Sequence, residues 1–257
     1  MVSGGRYDDL AGYQHGALPD PPEQERDALS APVAQTAFDK EMLGQMVRYG
    51  LPSGVQNSVI GLANVILQSN INSFGKLAMA GYGAYSKLEG FAFLPITSFT
   101  MALTTYTGQN LGAMQYDRAK KGARFGILVS ITLAELIGVG MYVFAPQLIS
   151  IFTPTPEVIA LGTQQARTIA LFYCLLAYSH AVASVCRGAG KAFVPMTIML
   201  ATWCALRIVY ITTVMHIVHE IQYIYWAYPL TWSVSSVIYF IYYHRSDWIH
   251  GFEAKEH

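Results

Sequence analysis

Charge is scarce in this chain. Of its 257 residues only 12% are Lys, Arg, Asp or Glu, where an ordinary soluble domain carries about 25%, while 53% are apolar and mean hydropathy is +0.32. That composition excludes an ordinary soluble domain and points to a polytopic membrane protein. Cysteine is equally sparse: Cys174, Cys186 and Cys204 are odd in number, widely spaced and set in apolar segments, so they read as packing residues and not as a disulfide or metal framework. There is no phosphate-cradling Gly-rich loop with Lys and Ser or Thr, no nucleophile elbow and no His-x-x-x-His inside an apolar segment. His216 and His219 form the nearest approach to a metal pair and read as a solvated loop pair. No enzymatic activity, cofactor or nucleic-acid partner is expected.

The zero net charge conceals an asymmetry. The first 41 residues hold eight acidic side chains against Arg6, Arg26 and Lys40, a net charge of −5, together with Pro19, Pro21, Pro22 and Pro32. With so little apolar surface to bury, residues 1–40 are expected to be a disordered acidic tail. They lack the apolar core of a signal peptide.

What is abundant is long apolar runs. Windows near residues 52–74, 84–107, 125–146, 167–187, 193–216 and 222–243 each approach the roughly 20 residues of a bilayer-spanning helix. These runs imply an all-α protein, with a six-helix membrane domain over residues 41–244 in contact with the lipid bilayer and a short tail over 245–257. Ten Lys and Arg flank one set of segment ends, Arg118, Lys120, Lys121 and Arg124 among them, against Lys76, Lys87 and Arg167 at the other. By the positive-inside rule both termini should be cytoplasmic in the cell membrane. Tyr223, Tyr225, Trp226 and Tyr228 at one end of the last segment, and Tyr239, Tyr242, Tyr243 and Trp248 at the other, read as interfacial belts.

Two segments carry polar stripes. Ser53, Asn57, Gly61, Asn64, Gln68 and Asn72 fall within an arc of about 100° on a helical wheel, and Ser86, Glu89, Phe93, Thr97, Thr100, Thr104 and Thr107 within about 80°. Such faces are costly against lipid. They either line a wet pathway or bond neighbouring helices, a reading that the small-xxx-small pair Gly50 and Gly54 supports. Pro95 should kink the second segment. At membrane depth Glu135, His180 and Arg207 stand out, with Glu89 nearer a segment end. Glu135 pairing with Arg207 is the obvious arrangement; the alternatives are a transport role for Glu135 or a hydrogen bond from it to backbone.

Five pieces in order carry a family likeness: Gly50-Leu-Pro-Ser-Gly-Val-Gln-Asn57; the run Ala80-Gly-Tyr-Gly-Ala-Tyr-Ser-Lys-Leu-Glu-Gly-Phe-Ala-Phe-Leu-Pro95; Gly108-Gln-Asn-Leu-Gly-Ala113; Cys186-Arg-Gly-Ala-Gly-Lys191; and Trp203 with Arg207. From about Asp39 to Tyr243 the chain resembles the C-terminal six-helix lobe of multidrug and toxic compound extrusion (MATE) transporters. The resemblance implies a secondary active antiporter in which two lobes rock about a central cavity, exporting an amphipathic or cationic drug in exchange for Na+ or H+ as the coupling ion. Gln56, Asn57, Asn64, Gln68 and Glu89 would then face the cavity, with Glu135, His180 and Arg207 further candidates for the ion or substrate pathway. The chain departs from the family in having no carboxylate over Gln56–Asn64, and only His180 as a titratable side chain of comparable use in the family's usual acid-bearing stretch before Arg187. One lobe cannot alternate against itself, so the missing N-terminal lobe or a second copy is expected as partner. A flippase for lipid-linked substrates, or a membrane protein that no longer transports, are the competing readings.

Overall fold

The structure, a computed structural model, describes residues 40–249. The acidic tail, apart from Lys40, and the end of the C-terminal tail lie outside the described residues. Backbone contacts divide the chain after Gly44; the described part of the first unit is only Lys40–Gly44, and the helical bundle belongs to the second, Gln45–His257.

Among the described residues the chain is helical without a strand. Helix α1 runs Lys40–Asn72, α2 Lys76–Gly112, α3 Tyr116–Val143, α4 Ala145–Ser150, α5 Pro156–Ile169, α6 Tyr173–Gly188, α7 Phe193–Met199, α8 Arg207–Ile217 and α9 Ile221–Arg245. A 3-10 turn, Ala170–Phe172, joins α5 to α6, and a π-helical turn, Leu200–Leu206, joins α7 to α8. Read through these turns, Pro156–Gly188 and Phe193–Ile217 are single rods. With Tyr116–Val143 they are the three stretches among the described residues long and apolar enough to cross a membrane by length and composition. Helices α1, α2 and α9 are as long, but the polar stripes of the first two, and the tyrosine and serine of α9, dilute their hydropathy.

The helices outrun the apolar windows. The rod ending at Gly188 begins at Pro156, although apolar density alone puts its start near residue 167, because Gln164, Gln165 and Arg167 interrupt the run. Pro156 supplies the fixed φ of a first helical position. At 1.5 Å per residue the 37 residues of α2 extend about 55 Å, well past a hydrocarbon core of about 30 Å. Tight turns separate the rods: Gly75 at φ 92° and Gly190 at φ 74° adopt the left-handed backbone that glycine alone enters without strain.

Helix α2 packs on α3, α5 and α6, and α6 in turn on α3 and α9, while α1 buries Ala63, Leu67 and Ile71. Two apolar clusters fill the bundle towards opposite ends. One gathers Tyr85, Ile149, Ile169, Tyr173 and Trp232; the other Leu103, Ile127, Val182, Met199 and Tyr239. Close approach is enforced by small residues: a Cβ on Gly188 would lie 2.5 Å from the Thr104 carbonyl oxygen, and one on Gly138 would run into the Ala170 carbonyl. Outward, Met101, Phe125, Leu128, Leu136 and Ile217 are each more than half exposed. So much outward apolar surface suits lipid and not water, and the chain is a multi-pass all-α membrane protein.

Half of the residues read as interfacial belts are core instead. Tyr225, Tyr228, Tyr239 and Trp248 are buried, and only Tyr223 and Trp226 of the first group stand exposed. Amphipathic rings serve either place, and periodicity along a helix aromatic on all sides does not separate them.

Candidate functional site

Helices α1, α2, α6, α8 and α9, with the π-helical turn, line an open cavity of about 500 Å³. Its polar wall is Asn57 and Asn64 from α1, Ser86, Glu89 and Thr97 from α2, His180 from α6 and Arg207 from α8; its apolar wall is Ile60, Tyr82, Phe93, Trp203, Tyr228 and Trp232. The two stripes legible in the sequence meet here. Asn57 and Asn64 recur seven residues apart, and Ser86, Glu89, Phe93 and Thr97 at three- or four-residue steps, so each helix turns one face to the cavity, where Asn57, Asn64 and Thr97 stand exposed. Close helix packing at the small residues of α1 is not seen within this chain: a Cβ at Gly50, Gly54 or Gly61 would meet nothing within 4 Å.

Arg207 is 2% exposed. Its Nη2 donates to Thr231 Oγ1 at 3.0 Å, its Nη1 to Asn64 Oδ1 at 3.5 Å, and its Nε is buried without a partner. The guanidinium lies 4.6 Å from the Tyr228 ring centroid and 5.7 Å from that of Trp203. Aromatic faces and neutral oxygens therefore hold this cation, which leaves its charge available to the cavity. The π-helical turn ahead of Arg207 contributes Trp203, four residues earlier, to the same wall.

Across the cavity Glu89 accepts a hydrogen bond from Tyr85 Oη at 3.0 Å, and Tyr85 Oη lies 3.1 Å from Tyr173 Oη. Both tyrosines are fully buried. His180 stands edge-on to Phe93 and Trp203, at centroid distances of 5.7 and 5.2 Å, with its Nε2 buried and unpartnered. Behind Trp203 a serine cluster fixes the indole: Trp203 Nε1 donates to Ser235 Oγ at 3.2 Å, and Ser235 and Ser236 each lie within 3.0 Å of Ser179 Oγ.

Of the eight residues singled out from the sequence, the cavity gathers Asn57, Asn64, Glu89, His180 and Arg207. Gln56 is buried away from it, its amide against the Met199 sulfur. Gln68, one turn past Asn64, is exposed and not part of the lining. Glu135 does not meet Arg207: its Oε2 accepts the backbone N–H of Cys174 at 3.1 Å, at the start of α6. The expected Glu135–Arg207 pair is thereby corrected, since the acid sharing Arg207's cavity is Glu89 and the one on α3 faces the break between α5 and α6. His216 and His219 both stand exposed, one bonding the Thr212 carbonyl and the other stacking on Phe74. Sequence reasoning missed Tyr82, Tyr228 and Trp232. For Tyr82 the four-residue step to Ser86 of the polar stripe was the available signal.

The MatE family model matches residues 52–213 of this chain. Among curated proteins the chain is similar to the probable multidrug resistance protein YoeA of Bacillus subtilis, 24% identical over 207 residues, covering 80% of this chain and 45% of that protein. It is also similar to the probable multidrug resistance protein NorM of Thermotoga maritima, 26% identical over 162 residues, covering 63% and 35%. The fold resembles a solved variant of the Vibrio cholerae MATE transporter VcmN, with TM-score 0.78 at 19% identity over 88% of this chain and 53% of that one. A MOP superfamily transporter from Pyrococcus furiosus superposes with TM-score 0.76 at 16% identity, covering 82% and 48%. The chain spans less than half the length of these curated relatives and about half that of the solved transporters.

Proposed function

Because the chain belongs to the MatE family, we propose that it forms one six-helix lobe of a secondary active antiporter that exports amphipathic or cationic drugs across the cell membrane in exchange for Na+ or H+. The observation that carries this reading is the cavity itself, in which a carboxylate, a guanidinium and five aromatic rings face one space between helices. Aromatic walls with a few convergent polar groups are the usual form of a small-molecule site. The names of the curated relatives, probable multidrug resistance proteins, agree with a drug as cargo.

The chemistry starts from Glu89. A drug ammonium and a coupling cation both seek its negative charge, so loading one displaces the other, and that competition is what exchange requires. The rings of Tyr82, Tyr228 and Trp232 offer flat apolar surface to the drug's planar part. Asn57 and Asn64 supply neutral donors and acceptors from α1. Alternation needs a second lobe to rock against, either a separate N-terminal lobe or a second copy of this chain. Both termini on the cytoplasmic side would place the basic segment Arg118–Arg124 there. Arg207 is the one permanently charged cation in the lining, which supports drug antiport over the broad cationic cavity that a flippase for lipid-linked substrates would use.

The test is dye efflux from proteoliposomes carrying the purified chain, alone and with a supplied N-terminal lobe, under an imposed Na+ or proton gradient. Gradient-driven dye movement that disappears in Glu89→Gln is the expected result. Efflux equal to that of empty liposomes under both gradients, with either lobe arrangement, would overturn the reading.

A further inference from the structure

The break between α5 and α6 is held from two sides. On one side Glu135 of α3 accepts the N–H of Cys174 in the first turn of α6, and Gly138, one turn on, admits the Ala170 carbonyl of the 3-10 turn. On the other, Tyr173, the first residue of α6, meets Tyr85 hydroxyl to hydroxyl at 3.1 Å, and Tyr85 donates to the cavity carboxylate of Glu89 at 3.0 Å. Tyr85 and Glu89 are four residues apart on one face of α2. The chain carboxylate–phenol–phenol thus leads without interruption from the cavity to the helix break, through two side chains with no solvent exposure.

We propose that Tyr173 is a positioning residue that couples the charge on Glu89 to the geometry of the α5–α6 break. The inference rests on the coupling role proposed for Glu89. While Glu89 is an anion, its bond from Tyr85 is charge-assisted and about twice as strong as a neutral one. It commits the Tyr85 proton, so Tyr85 is left as an acceptor and Tyr173 must donate. Every hydrogen bond in the chain then points towards the cavity, and each polarises the next. A proton or a sodium ion on Glu89 removes the negative charge that orients the first bond. Tyr173 loses its fixed partner, and a 3-10 turn needs only small dihedral changes to relax towards α-helix. Glu135 keeps hold of Cys174, so the movement is confined to the turn itself. Such a turn, with two arrangements biased by a distant charge, is the physical element that coupling between sites requires.

Cys174 reports on this break, because its thiol is half-buried beside Leu171. The experiment measures the rate at which a membrane-permeant maleimide modifies Cys174 in the whole chain, at fixed pH and sodium concentration, with the modified peptide identified by mass. Glu89→Gln, which removes the charge, is expected to change that rate about 5-fold or more, the lower range of couplings between sites. Tyr173→Phe should give a comparable change and abolish any further effect of Glu89→Gln, and Tyr85→Phe, which cuts the other link, should do the same. Tyr239→Phe, at a buried tyrosine bonded to the Pro195 carbonyl outside this chain, should leave the Glu89→Gln effect intact. No response to Glu89→Gln, or a response that persists undiminished in both link variants, would overturn the inference. Efflux that loses its ion dependence in Glu89→Gln while Cys174 labelling is unchanged would overturn it too, and would leave the transport reading standing. Efflux indifferent to both ions in the parent protein would remove that reading and this inference with it.

Discussion

Glu89 and Arg207 line one cavity from α2 and α8, yet each bonds a neutral partner and not the other: Glu89 holds Tyr85, and Arg207 holds Thr231 and Asn64. Their effects on a cationic dye should therefore oppose one another. One unit charge lining the same cavity is worth on the order of 1–2 kcal/mol at an effective dielectric near 20, or roughly tenfold in affinity. Glu89→Gln is expected to weaken dye binding by about that factor, and Arg207→Met to strengthen it, as read by fluorescence polarisation in detergent. Both variants shifting affinity the same way would mean that the dye does not sense the two charges from one cavity.

Glu135 is expected to behave as a helix-holding group. Gln at this position still presents a carbonyl oxygen to the Cys174 N–H, so Glu135→Gln should retain most of the efflux and most of the thermal stability. Glu135→Leu removes the acceptor of that half-buried donor, at a cost of about 1 kcal/mol, visible as a lowered Tm in detergent. Loss of efflux in Glu135→Gln at unchanged Tm would instead place this carboxylate on the ion pathway.

The helical class, the long apolar rods and the two polar stripes, parts of which line the cavity, were legible in the sequence because each depends on the period of a single helix. Asn57, Asn64, Glu89 and Arg207 could be chosen for the same reason, since an ionisable or amide group at membrane depth must face something polar. Partnership was not legible. Glu135 and Arg207 look complementary along the chain, but which carboxylate shares Arg207's cavity depends on how α2, α3 and α8 are arranged around α6. Tyr228 and Trp232 were hidden for another reason, as α9 is aromatic on several faces and carries no contrast by which to tell inward from outward. The 3-10 turn at Ala170–Phe172 has no Pro or Gly to announce it.

Gly138 and Gly140 stand two residues apart on α3 and make a matched pair. A Cβ at Gly138 collides with the Ala170 carbonyl, whereas one at Gly140 meets nothing within 4 Å. Gly138→Ala should lower stability by about 1–3 kcal/mol through overpacking. Gly140→Ala should raise it by up to about 1 kcal/mol through helix propensity. Opposite shifts in Tm, measured side by side, are the expected outcome; a harmless Gly138→Ala would mean that α3 and the α5–α6 break do not approach this closely.

The four tryptophans divide cleanly with respect to the cavity. Trp203 and Trp232 line it, with ring centroids 6.4 Å apart, whereas Trp226 is exposed and packs edge-on to Phe172, and Trp248 stacks on Tyr243 in the other apolar cluster. An aromatic drug seated in the cavity comes within contact of the first two indoles alone. Drug-dependent quenching of intrinsic fluorescence should therefore fall by more than half in Trp203→Phe with Trp232→Phe, and persist in Trp226→Phe. Phe is the appropriate replacement because it keeps a ring in the wall, so that a changed signal reports lost emission and not a collapsed site. Trp203→Phe also frees the Ser235 hydroxyl that its indole N–H holds, but Ser235 keeps its contacts with Ser179 and the Trp232 carbonyl, so the cluster remains bonded. Quenching that instead disappears in Trp226→Phe would place the drug on the outer face of α9, away from Glu89 and Arg207.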